Sequence, residues 1–166
     1  MRSLMLFVCC CSPCALAMQQ FVKTYKTIEL LKNLQLVFEQ ITFVLSGSVP
    51  DAVNLFRVLR CRNVFPVFCT NICDSLLTGA TFAESWMCGL CNIGGDMLSV
   101  SEKEEILSFA DSFGLGSVDE QIRICKHFSQ FCINAIDKRK NNLAKNGKLY
   151  LSGSLLFGAL IFVLLF

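Results

Sequence analysis

Between Ile28 and Leu45 the residues Leu30, Leu31, Leu34, Val37, Phe38, Ile41 and Val44 recur at three- and four-residue spacing. That period gathers them into one broad stripe of an α-helix. Gly47 and Pro50 end the pattern, and Asp51 is placed to cap a second helix running to about Cys61. A third helix is predicted from Phe65-Pro66 to just before Gly79. Thr81 and Glu84 then have capping-box spacing, the hydroxyl meeting one orphan amide while the carboxylate reaches back to another. They open a short helix through Trp86. After Gly94-Gly95 the same spacing recurs at Ser101 with Glu104 and at Ser117 with Glu120. The first pair opens a helix ending near Gly114. The second opens a long helix with Ile122, Cys125, Phe128, Cys132, Ala135 and Ile136 on one face. No stretch alternates with period two. The pattern predicts an all-α fold, a bundle of about six helices.

Two charge-free stretches flank this pattern. Residues 149–166 carry no Asp, Glu, Lys, Arg or His and hold twelve Leu, Ile, Phe or Val. As a helix this run is about 27 Å long, close to the thickness of a hydrocarbon core. Its large apolar residues contribute about −4 to −7 kcal/mol on an insertion scale. Lys138, Arg139, Lys140, Lys145 and Lys148 precede it and mark the near side as cytoplasmic. Ser154 and Gly158 have the small-xxx-small spacing that permits close helix contact. Residues 3–22, between Arg2 and Lys23, form the second run, interrupted by Pro13. Two readings compete there. One is a transmembrane helix, in which proline is tolerated. The other is a signal peptide ending at Ala15-Leu16-Ala17. Cleavage would export the domain and strand the basic cluster on the wrong side of the C-terminal span. The expected organisation is therefore a transmembrane helix at 3–22, a cytosolic helical bundle at 23–148 and a transmembrane helix at 149–166.

Composition sharpens this picture. Of 166 residues, 54% are hydrophobic and 17% charged, an apolar shift for a soluble domain. The net charge of +2 conceals an uneven layout. From Glu84 to Glu120 there are eight acids and one base, Lys103, whereas 138–148 holds five bases and no acid. Bases packed beside an apolar span suit lipid headgroups, and no basic face suited to nucleic acid is present. Eleven cysteines are present. Cys9, Cys10, Cys11 and Cys14 fall within the first apolar run. Cys61, Cys69, Cys73, Cys88, Cys91, Cys125 and Cys132 are odd in number and mostly at helix-interior positions. A helical chain facing the cytosol predicts free, buried thiols rather than a disulfide framework.

Catalytic chemistry finds little purchase. Gly94-Gly95 is followed by Asp96, which repels phosphate, so no nucleotide loop is present. His127 is the lone histidine and has no triad partners in view. Cys69, Cys73, Cys88 and Cys91 form the strongest alternative, four thiols over 23 residues that suit a tetrahedral zinc set. They equally suit a helical core face. As a redox dithiol, Cys88-Gly-Leu-Cys91 lacks the strand-then-helix setting such motifs use. The runner-up function is thus a cysteine-rich zinc or thiol-redox protein anchored to the membrane. Glu102, Glu104, Glu105 and Asp111 are either a docking surface for a basic partner or the solvated face of one helix.

The C-terminal half carries a resemblance. Asp119-Glu120-Gln121-Ile122, the long helix, and Lys145-Asn146-Gly147-Lys148-Leu149-Tyr150 running into a glycine-containing apolar tail resemble the stage III sporulation protein AB family. Ser101 to Leu115, Glu84-Ser85-Trp86 and Leu34-x3-Phe38-Glu39-x-Ile41 extend the likeness over nearly the whole chain. The family's Thr-Pro-Leu-Pro-type turn is replaced here by Ser46-Gly47-Ser48-Val49-Pro50, a second glutamate is Gln40, and the cysteine load is atypical. The resemblance implies a non-enzymatic platform or scaffold subunit of the assembly linking mother cell and forespore. It is similar to the cytoplasmic helical domain of type II secretion and type IV pilus platform proteins. It implies a place in the mother-cell membrane around the forespore, with the bundle facing the mother-cell cytosol. The implied partners are the cognate secretion-type ATPase, stage III sporulation protein AA, and other subunits of that assembly, with no cofactor. Glu102, Glu104, Glu105, Asp119 and Gln121 are the candidate ATPase-facing residues, on exposure and charge.

Overall fold

The computed structural model describes residues 2–165, with side chains described for 19–145. Six α-helices follow in order: α1 (Arg2–Gly47), α2 (Ala52–Cys61), α3 (Pro66–Leu77), α4 (Phe82–Asn92), α5 (Val100–Ser112) and α6 (Val118–Leu165). A 3-10 turn, Gly95–Met97, precedes α5. No strand occurs among the described residues. The chain divides into two compact units, one comprising 27–136 and the other 1–26 with 137–166. The predicted spans at 3–22 and 149–166 lie outside the residues whose side chains are described, apart from 19–22. Among the described residues no helix is long and apolar enough to cross a membrane.

Local chemistry sets most helix ends. The Asp51 carboxylate accepts the Asn54 N–H at 3.1 Å and starts α2. The predicted box at α4 is present: Thr81 Oγ1 accepts the Glu84 N–H at 3.3 Å, and the Glu84 carboxylate accepts the Thr81 N–H at 2.9 Å. At α5 the expected start is two residues late. The box forms between Ser99 and Glu102, with the Glu102 carboxylate accepting the Ser99 N–H at 2.9 Å, not between Ser101 and Glu104. Both pairs carry the same pattern. The earlier start adds a half-turn, including the Lys103 N–H to Ser99 carbonyl bond at 2.9 Å. At α6, Ser117 Oγ accepts the Glu120 N–H at 3.3 Å. The Glu120 carboxylate turns instead to Arg123, at 3.4 Å.

Helix stops follow equally local rules. The Val64 N–H reaches back to the Leu59 carbonyl and Asn63 N–H to Arg60, with Asn63 left-handed at φ 58°. Ala80 and Gly79 repeat this pattern at the end of α3, Gly79 at φ 91°.

The core of 27–136 is built around aromatic rings. All seven α1 stripe residues are buried, as are Cys125, Phe128, Cys132, Ala135 and Ile136 of α6; Ile122 is half-buried. Trp86 of α4 is wholly buried. Around it stand Phe109 of α5 at 4.7 Å, Phe68 of α3 at 5.0 Å, Phe38 of α1 at 5.8 Å and Phe56 of α2 at 6.3 Å between ring centroids. Phe128 of α6 closes the cluster against Phe38 and Phe109. Each helix thus contributes a ring at the separations aromatic pairs favour. α3 lies against α2 and α4, and α4 against α5. Gly89 makes the α3–α4 approach possible, since a Cβ there would stand 2.9 Å from Ile72 Cγ1 and 3.0 Å from Phe68 Cε2.

Candidate functional site

The candidate acids divide into two groups at different helix starts. Glu102, Glu104 and Glu105 occupy the beginning of α5, and Asp119 and Gln121 the first turn of α6. α6 follows the far end of α5 after a short connection, so the groups start from opposite ends of that helix. Glu104 and the end of α5 at Ser112 are separated by about 12 Å of helix rise. The acids also differ in availability. The Glu102 carboxylate is engaged at the cap, accepting from Ser99 N–H and Oγ. Glu104 and Asp119 are exposed, whereas Glu105 and Gln121 are half-buried. Asp111 is exposed. Glu104, Asp111 and Asp119 therefore present the most accessible negative charge, and Glu102 is first a structural residue.

The thiols partition in a way that periodicity does not reveal. All seven described cysteines are free, but only Cys69, Cys73, Cys125 and Cys132 are buried. Burial pushes Cys69, Cys125 and Cys132 up to about 12, and pushes Cys73 up as well. Cys69 Sγ donates to the Val64 carbonyl at 3.2 Å, binding the α2–α3 turn to α3. These are core groups, chemically quiet at neutral pH. Cys61, Cys88 and Cys91 are exposed, so among the described residues the expectation of buried thiols holds for Cys69, Cys73, Cys125 and Cys132. The alternative set of four, Cys69, Cys73, Cys88 and Cys91, is split between core and surface. Among the described residues no group of three or more His, Cys, Asp or Glu is arranged to hold a metal ion.

The face of α4 bearing Cys88 and Cys91 is built by its neighbours in sequence. Gly89 and Leu90, the two residues between the thiols, are buried. They hold the helix inward and turn both cysteines outward. Met87 is 50% exposed beside them. The Asn92 amide donates to Cys88 Sγ at 3.6 Å. Lys103 of α5 is bound to Asp96 at 3.1 Å. That bonded Asp96 carboxylate, with Cys91 adding to it, holds the Lys103 ammonium above the usual lysine range. Periodicity singles out the cysteines but not Met87 or Lys103. The Met-Cys-x-x-Cys run is the available signal. His127 is exposed and stands edge-on to Phe128 at 5.3 Å.

A protein-family model described as stage III sporulation protein AB matches residues 1–166. No curated protein and no solved structure matches the chain.

Proposed function

The chain belongs to the stage III sporulation protein AB family, matched over its full length, and on that premise we propose that it is a non-enzymatic platform subunit for a secretion-type ATPase. The family places it in stage III of spore formation. The platform role is our reading, carried by the full-length match and supported by accessible acid on a small helical unit. Residues 3–22 and 149–166 anchor the chain in the mother-cell membrane around the forespore, and the 27–136 unit faces the cytosol. Length, apolarity and the basic flank at 138–148 support that topology. Docking of stage III sporulation protein AA falls to Glu104, Glu105 and Asp119, with Gln121 at its margin. Exposed charge of one sign raises the encounter rate with a complementary surface and selects against like-charged partners.

Charge reversal tests the docking surface. The Glu104→Lys, Glu105→Lys, Asp119→Lys variant is expected to lower co-purification with the ATPase by at least about tenfold, an effect that weakens with salt. Undiminished binding overturns the surface. Topology is read by labelling Cys61 in sealed inverted vesicles, because Cys61 is exposed and Cys125 is not. Labelling only after the vesicles are opened, in a variant lacking the other exposed cysteines, excludes the cytosolic placement.

A further inference from the structure

The four thiols of the zinc reading are divided between core and surface, but the sulfur atoms on the outer face of α4 remain unexplained. Met87 precedes Cys91 by four residues and Cys88 precedes it by three. On a helix, side chains three and four apart are neighbours, with Cβ atoms about 5–6 Å apart. Both Met87 and Cys88 thus adjoin Cys91. All three are exposed. The buried Gly89 and Leu90 fix the helix face against α3, so the sulfurs are displayed from a regular helix rather than from a loop.

The geometry points to Met87, Cys88 and Cys91 as a binding site for a soft monovalent d10 cation, Cu(I), held by two thiolates and one thioether. Zinc needs a tetrahedral set that the described residues lack. Soft thiolate and thioether donors select Cu(I), for which a few sulfur ligands suffice. Binding forms two thiolate–copper bonds and one thioether–copper bond, and each thiol gives its proton to solvent; the oxidation state of copper does not change. The resulting dithiolate complex carries one net negative charge. Lys103, close enough for Cys91 to act on its ammonium, offsets that charge. Asp96 holds the lysine in place at 3.1 Å. The Asn92 amide already donates to Cys88 Sγ, at 3.6 Å.

The test uses the full chain, purified anaerobically in detergent, with Cys9, Cys10, Cys11, Cys14 and Cys61 replaced by Ser to remove competing thiols of the N-terminal run and of α2. Cu(I) is titrated against a chromophoric Cu(I) chelator, and helix content is followed by circular dichroism. One equivalent of Cu(I) is expected to transfer to the protein, with a sulfur-only shell in X-ray absorption. Cys88→Ser and Cys91→Ser are each expected to weaken binding by at least about a hundredfold, and Met87→Leu or Lys103→Gln by about tenfold. All four positions are away from the core, so helix content is expected to be unchanged. Cys125→Ala serves as the buried control and leaves affinity unaltered. Failure to withdraw Cu(I) from the chelator, or full affinity in Cys88→Ser, overturns the proposal. Equal retention of Zn(II) and Cu(I) also overturns it, because the selectivity argument then fails.

Discussion

The indole N–H of Trp86, in the middle of α4, donates to the backbone carbonyl of Ile106 in α5 across 3.0 Å, and both residues are fully buried. A buried donor left without a partner is costly, so this bond lets the protein place its only tryptophan at the centre of the aromatic cluster. Trp86→Phe removes the donor and about a third of the ring system. The expected loss is about 2–4 kcal/mol, a hydrogen bond plus an incompletely refilled cavity. Urea unfolding followed by circular dichroism measures it. In the unaltered protein, Trp86 emission is expected to be blue-shifted and to move red on unfolding.

Helix α5 starts at Ser99, and the two candidate boxes are separable by mutation. Ser99→Ala is expected to cost about 1 kcal/mol, the usual value of a lost cap. Ser101→Ala, at an exposed position inside the first turn, is expected to change stability by less than about 0.5 kcal/mol. Equal effects in thermal or urea unfolding contradict the observed register.

Acid weakens the α4 box. Hydrogen bonds from the Thr81 N–H and hydroxyl hold the Glu84 carboxyl below its ordinary range. A group depressed in this way contributes its stability above the ordinary carboxylate range and loses it as the pH falls through the depressed value. The acid limb of the stability curve is therefore expected to be shallower in Glu84→Ala than in the unaltered chain.

Alkali acts on the core. Cys69, Cys125 and Cys132 are raised from 9.0 to about 12. Above pH 9 the unfolded thiols ionise while the folded ones remain protonated, so stability falls progressively between those limits. The triple Cys69→Ala, Cys125→Ala, Cys132→Ala variant begins less stable but has a flatter alkaline slope. Peptide mapping after brief alkylation at mildly alkaline pH is expected to find Cys61, Cys88 and Cys91 modified. Cys69, Cys125 and Cys132 become modified only on unfolding.

Two glycines separate conformational from steric demand. Gly79 has φ 91° and open space where a side-chain methyl would stand, so Gly79→Ala costs about 1–2 kcal/mol through the left-handed backbone alone. Gly89 has ordinary helical geometry but faces Ile72 and Phe68. Gly89→Ala gains about 1 kcal/mol of helix propensity. It loses about 1–3 kcal/mol to overpacking, so the net effect is expected to be neutral to destabilising. The contact is with Ile72 Cγ1, which Ile72→Ala deletes, so Gly89→Ala is expected to cost less on the Ile72→Ala background than in the unaltered chain, whereas Ile72→Ala does nothing for Gly79→Ala.

Much of this fold is legible in the order of residues. The α1 stripe from Leu30 to Val44, the caps at Asp51 and Thr81, and the stop at Gly79 all rest on interactions within a few residues, and a sequence displays those directly. The box at Ser99 escapes such a reading because two overlapping Ser-x-x-Glu patterns satisfy the same local rule. For the candidate acids, the linear chain shows charge but not use. Glu102 reads like Glu104 until its carboxylate is seen at the cap.

The sequence by itself determined that this chain folds as amphipathic helices and to which family it is similar, since period and short motifs are properties of neighbouring residues. Only the tertiary structure decided which thiols are core and which are surface. Cys69 and Cys88 are both cysteines at helical positions, and periodicity treats them alike. Their fates diverge because α3 turns Cys69 into the packed interior, while the buried Gly89 and Leu90 occupy the inner face of α4 and leave Cys88 and Cys91 to solvent. Burial is a relation among helices distant in sequence, and no local pattern records it.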